Sequence, residues 1–237
     1  MRIVVANFSG SVGKTVVTSH LLAPRIAGAE IIAVESTNES AADLGLDVDQ
    51  LRGEQFGKLF RKLLIAQAAI VDVGASNIED FLAELSKYDQ AQAEIDCFVL
   101  PVVSTGKAQR ETIKTIKALQ ALEVPRERIR VLFNRVDVRA NDEFDPIFAF
   151  EELSQSFLAN PNAQIPESAV FDLLANRRLT INAVINDSTD YRQMLRQTDP
   201  SDEMQIEAIS DLIALQSLAK PVNRQLDHAF AALFAHQ

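Results

Sequence analysis

The sequence holds a single cysteine, no apolar run long enough to cross a bilayer, and no excess of positive charge. One cysteine cannot form an internal disulfide, so a disulfide framework is excluded and nothing asks for an oxidising compartment. Cys97 lies inside Cys97-Phe98-Val99-Leu100, the setting of a buried strand residue. A spanning helix needs roughly 20 apolar residues, and no segment approaches that. Met1–Ala6 is too short for a signal peptide and runs straight into a motif, so the expected location is the cytoplasm. The net charge of -10 repels nucleic acid as a whole and confines any DNA contact to a local basic patch. There is no internal repeat and no low-complexity tract.

What is present is a core-forming chain. Of its 237 residues 47% are hydrophobic, enough for one large α/β domain without disulfide or metal staples. Short apolar runs at Ile3–Ala6, Ile31–Val34, Ala69–Val73, Cys97–Val103 and Ile129–Phe133 are rich in Val and Ile. They are apolar at every position, as strands covered on two sides must be. Amphipathic helical patterns separate them at Lys14–Leu22, Gln55–Ile65, Ile78–Leu85 and Lys107–Leu122. Such alternation predicts a doubly wound, mainly parallel sheet with helices on both faces. After about residue 140 the strand signals fade. Pro146, Pro161, Pro166, Pro200 and Pro221 punctuate helical patterns such as Met204–Ala219 and Leu226–Phe234. These are expected to pack on the sheet edge, as a helical C-terminal part from about residue 186 of a single 1–237 domain.

The first run leads into Asn7-Phe8-Ser9-Gly10-Ser11-Val12-Gly13-Lys14-Thr15, followed by a helical pattern. Strand, Gly-x-x-Gly-Lys-Thr and helix together predict a phosphate loop. Gly10 and Gly13 allow a tight turn and close backbone approach. The amides from Ser9 through Gly13 to Val16 form an anion nest at a helix N-terminus. Lys14 reaches the β- and γ-phosphates, and the Thr15 hydroxyl suits magnesium, a hard cation. The common form of the loop has glycine where this chain has Phe8, so the common form does not apply.

The loop resembles the deviant phosphate loop of the ParA/MinD family of ATPases, Asn-x-Lys-Gly-Gly-x-Gly-Lys-Thr. Asn7, Gly10, Gly13, Lys14 and Thr15 match it, while Ser9 replaces the signature lysine and Ser11 a glycine. In that family the lysine reaches a partner's nucleotide across a dimer, so the resemblance implies a nucleotide-dependent homodimer whose cross-dimer catalysis Ser9 puts in doubt. Ile31–Thr37 occupies the place of the family's second strand, which ends Asp-x-Asp. Glu35 matches the first acid and is a candidate magnesium ligand through water. Thr37 replaces the aspartate that positions the attacking water, and Glu39 is the candidate substitute. Ala69–Gly74 resembles the second magnesium motif, with Asp72 at the carboxyl end of its strand, where ligands of such sheets bind. Within the family the chain looks closest to StbB-type plasmid stability proteins, with TraL-like conjugation proteins as neighbours. That implies a weak ATPase acting in plasmid maintenance with a DNA-binding partner protein.

Val131–Asp137 resembles the base-recognition strand end of the family, so Asn134 is expected at adenine with Arg135 beside it, and Ile165-Pro166 matches the strand-proline turn near the base. Asn134-Arg135-Val136-Asp137 is also one residue from the Asn-Lys-x-Asp of GTPases, so ATP and GTP both remain open. Separately, Lys107, Arg110, Lys114 and Lys117 recur at helical spacing on one face. The face is either solvated or a docking surface for DNA or an acidic partner. Arg126, Arg128 and Arg130 extend it if that segment is strand-like. Four to seven local cations (roughly) support only weak, salt-dependent DNA contact.

Overall fold

The computed structural model describes residues 1–34, 46, 48–51 and 55–235, with only the backbone of 48–51. The candidate positions Glu35, Thr37 and Glu39 lie outside the described residues. Among the described residues seven strands form one sheet in the order β3-β2-β4-β1-β5-β6-β7. They are β1 (Arg2–Val5), β2 (Glu30–Val34), β3 (Val48–Leu51), β4 (Ala69–Val73), β5 (Cys97–Val102), β6 (Ile129–Val136) and β7 (Gln164–Pro166). Every pairing is parallel. The central strand β1 lies between β4 and β5, with Val5 level with Asp72 on one side and Val99 on the other.

Alternation along the strands builds two cores. Val4, Ile32, Val71, Phe98 and Phe133 face one way, against α2 (Phe56–Ile65), α3 (Ile78–Leu85), α4 (Gly106–Ala121) and α6 (Asp145–Ser154). Ile3, Val5, Ile70, Cys97 and Leu132 face the other way, against the π-helix Val17–Leu22 that continues α1 (Lys14–Val16), and against α7 (Val170–Asn176), α8 (Ile181–Asn186) and α10 (Glu203–Leu233). Among the described residues there are also two short helices, α5 (Ala140–Glu143) and α9 (Tyr191–Gln197). Cys97 is buried, and burial pushes its thiol up to about 12, as its apolar setting predicts.

Two expectations change. Met204–Ala219 and Leu226–Phe234 are one helix, because α10 runs through Pro221. The proline removes a backbone donor, but the apolar stripe Leu215, Ala219, Val222, Leu226 and Ala229 continues across it and outweighs the local loss. This helix packs on β7 and β6 at the sheet edge, as expected, and reaches beyond them to the π-helix Val17–Leu22 on the same core face. Second, Arg126–Arg128 is a 3₁₀ turn rather than extended chain, so the alternation expected for Arg126, Arg128 and Arg130 does not arise.

The helix after the first loop is also irregular. Three α-helical residues, Lys14–Val16, pass into a six-residue π-helix, Val17–Leu22, whose end is marked by the Ala23 N–H donating to Thr18 O. Arg25, just beyond, donates to the His20 and Leu21 carbonyls at 2.9 and 3.1 Å and to Asn223 Oδ1 and Asp227 Oδ1 at 2.9 and 2.7 Å. The end of this irregular helix is thereby tied to α10.

Candidate functional site

The loop from Asn7 to Lys14 leaves the carboxyl end of the central strand and opens α1. Gly13 is the residue before α1 and sits at φ +84°, a left-handed conformation that disfavours any side chain. Ser11 is left-handed too, at φ +57°. Left-handed residues alternating with ordinary ones turn successive amides to one side, the geometry of an anion nest. Glycine at 13 has a second cause. A Cβ there would lie 2.2 Å from Asn134 Nδ2. A Cβ at Gly10 would meet nothing within 4 Å, so no protein contact asks for glycine there. Open space above the loop is what a phosphate group approaching the backbone needs.

Each predicted loop residue has a definite place. Lys14 is buried and its Nζ donates to Ser9 O at 3.1 Å, so the ammonium lies folded over the loop. The Ser9 N–H donates to Asn7 Oδ1 at 2.9 Å, and its Oγ turns to Gly10 O. Val12 is fully buried, while Thr15 and Val16 are half-buried at the start of α1. Asp72 is buried on β4, the strand beside β1, and α1 contacts that strand. Lys14 and Thr15 thus follow β1 while Asp72 lies on the neighbouring β4; a carboxylate and a hydroxyl are oxygen ligands of the kind magnesium takes, and a lysine is a partner for phosphate. Past Asp72, the Gly74 N–H donates to Val34 O at 3.0 Å, joining the ends of β2 and β4. Among the described residues no cluster of three His, Cys, Asp or Glu could hold a metal by itself.

The second group sits at the end of β6. Asn134 is buried, and its Nδ2 donates to Val12 O at 2.8 Å. Its amide thus braces the loop from the side, a role the sequence reading did not foresee. Arg135 is exposed at φ +54°, where the β6–β7 register shifts. This bulge separates Asn134 from Asp137. Asp137 and Pro166 line a cleft of about 590 Å³ with Gln164, Gln225 and His228. The structure therefore groups Asp137 with Pro166, and Asn134 with the loop.

The proposed cationic face is partly committed elsewhere. Lys107 pairs with Glu111 at 3.8 Å and Lys114 with Glu79 at 3.3 Å. Arg126 pairs with Glu151 at 2.8 Å. Arg128 donates to the Ala93 and Ile95 carbonyls, and Arg130 to those of Leu233 and Ala235. The three arginines hold backbone and acids together rather than extending the face.

One buried titratable group lies behind the loop. His20, on the π-helix, accepts the Ile181 N–H at Nδ1 (3.2 Å), and burial lowers its pKa to about 4. It is therefore neutral at physiological pH and tethers the start of α8 to the helix that follows the loop.

Comparison with known proteins gives the family and the fold. The profile of the CobQ/CobB/MinD/ParA nucleotide binding domain matches residues 3–181. No curated protein sequence matches the chain. Among solved structures, the MinD cell division protein of Aquifex aeolicus superimposes with a TM-score of 0.53 at 16% identity, over 90% of this chain and 96% of that one. MinD of Pyrococcus horikoshii, solved with Mg-ADP, gives 0.53 at 13% identity over 94% and 98%. Apo McdA of Cyanothece gives 0.50 at 14% identity over 90% and 98%. At these identities the likeness is one of fold. Among the described residues no helix is long and apolar enough to cross a membrane.

Proposed function

Because this chain belongs to the CobQ/CobB/MinD/ParA nucleotide-binding family, we propose that it binds ATP with magnesium at the loop Ser9–Val16 and acts as a slow nucleotide-driven switch. The observation that carries this is the loop itself. Gly13 is left-handed, Lys14 is buried, and α1, which carries Thr15, contacts β4, the strand that carries Asp72 beside the central strand. Lys14 binds the phosphates; Thr15, Asp72 and, from the sequence, Glu35 hold magnesium. The metal's role is to neutralise phosphate charge. The 1–237 chain acts as one unit in the cytoplasm, forming a homodimer when nucleotide is bound.

The sequence likeness to StbB-type proteins supports work in plasmid stability or partition, together with a DNA-binding partner protein. Direct DNA contact is weak in this reading, because Lys107 and Lys114 already face acids. ATP is favoured over GTP by family membership, with Asp137 as the residue that would favour GTP.

A second reading is a binding module that holds nucleotide without turning it over. It is favoured by Ser9 in the signature lysine position and Thr37 in that of the water-positioning aspartate. One experiment separates the two: phosphate release and solution mass with Mg-ATP, for the wild type and Lys14→Ala. Turnover above the variant supports the ATPase. Binding and a mass change with no turnover supports the module, and no binding refutes both.

A further inference from the structure

The phosphate loop is held from outside by α4, a helix far from it in sequence. Asn7 is fully buried, and both its donors and one of its acceptor positions have close partners. Its Nδ2 donates to Pro101 O at 2.8 Å and to Thr112 Oγ1 at 2.7 Å. Its Oδ1 accepts the Ser9 N–H at 2.9 Å and lies 3.4 Å from Thr115 Oγ1. Thr115 Oγ1 accepts the Phe8 N–H at 3.1 Å. The Phe8 ring is met by Lys114 Nζ, 4.2 Å from its centroid. Residues 112 and 115 are one helical step apart, so α4 presents both hydroxyls to the loop from one face.

We propose that Thr112 and Thr115 are positioning residues for the phosphate loop: through Asn7 and the Phe8 amide they fix the backbone that aims the nest and Lys14 at a nucleotide. Both threonines are fully buried, where an aliphatic side chain of the same shape would serve packing equally well. The hydroxyls are what the loop uses. Thr112 donates to Ala108 O at 2.8 Å and Thr115 reaches Glu111 O at 2.9 Å, which orients both oxygens. With Oγ1 so fixed, its lone pairs accept from Asn7 and Phe8. Removing the Thr112 hydroxyl leaves a buried Asn7 Nδ2–H without its acceptor, and removing that of Thr115 does the same to the part-buried Phe8 N–H; either change frees residues 7–9 to shift, which displaces the Ser9 carbonyl that Lys14 contacts. This inference rests on the nucleotide-binding reading of the loop.

Thr112→Val and Thr115→Val keep the shape and remove the oxygen; Thr→Ser does the reverse. Each valine variant is expected to weaken Mg-ATP binding on the order of tenfold, the loss of about one buried hydrogen bond. Each serine variant is expected to stay near the wild type. Serine variants that weaken binding as much as valine, or valine variants that leave it unchanged, would overturn the proposal and reduce the threonines to packing. A second measurement needs no nucleotide. Hydrogen exchange of the Phe8 amide should speed up in Thr115→Val while the β5 amides keep their protection; an unchanged Phe8 amide overturns the proposal. If wild-type protein binds no Mg-ATP, the functional reading fails, and the exchange result alone then decides the clamp.

Discussion

The contact between Gly13 and Asn134 makes a quantitative prediction about a single methyl group. Gly13→Ala places a Cβ 2.2 Å from Asn134 Nδ2, at a backbone φ of +84°. The left-handed conformation costs an alanine about 1–2 kcal/mol. Asn134 must also turn away, breaking its 2.8 Å bond to Val12 O. Both groups are buried, so that loss costs about 1–3 kcal/mol more. The sum is about 3 kcal/mol, or a fall in Tm of roughly 6–12 °C for a chain of this size. Urea unfolding of four proteins, wild type, Gly13→Ala, Asn134→Ala and the double variant, divides the effect. With Asn134 shortened to alanine only the backbone cost remains, so Gly13→Ala should then cost about 1–2 kcal/mol. An equal penalty in both backgrounds would refute the claim that Asn134 excludes a side chain at position 13.

Burial of neutral His20 makes stability depend on pH. Its pKa is lowered to about 4 in the folded chain, so between about 6.5 and 4 the unfolded chain binds the proton and the folded chain does not. Stability from this group is therefore present above about 6.5 and is lost as pH falls towards 4, by about 3 kcal/mol. Denaturant titrations at pH 7 and 4.5 should show that loss in the wild type and a smaller one in His20→Gln; equal losses would exclude His20 as the cause. Cys97, buried with its thiol pushed up to about 12, should resist a thiol reagent in the native protein and react fully in denaturant. Fast native labelling would contradict its placement in β5. Arg25→Ala removes the bonds joining the end of the π-helix to α10 and should cost about 2 kcal/mol in urea unfolding. Asp227→Ala should cost less than about 1 kcal/mol, because that carboxylate is half exposed. Equal costs would mean that the ion pair, not the backbone carbonyls, is what Arg25 supplies.

What was readable from sequence followed from local chemistry. The strands buried on both faces announced themselves as continuous Val and Ile runs, and the loop through its two glycines and Lys14-Thr15. β3 did not, because Val48-Asp49-Gln50-Leu51 carries two polar residues in four. β7, only Gln164–Pro166, was marked by its proline and not by hydropathy. The continuity of α10 was hidden because a proline ordinarily ends a helix, and only the burial stripe on its far side shows why this one does not. Within the site, glycines and charges were legible, but their supports were not. The second role of Asn134, its bond to Val12 O, was not legible because nothing in its own strand reveals that Val12 lies beside it. Nothing in the sequence of α4 marks Thr112 and Thr115, and only the tertiary fold brings them to Asn7 and the Phe8 amide.

The central claim is that the Asn7–Thr15 loop binds a nucleoside triphosphate with magnesium. Calorimetric titration of the purified chain with Mg-ATP, beside Lys14→Ala and a magnesium-free control, tests it directly. The account predicts saturable binding near one nucleotide per chain, strengthened by magnesium and lost in a Lys14→Ala variant that still unfolds cooperatively. Absence of binding in the wild type, or undiminished binding in that variant, would contradict it.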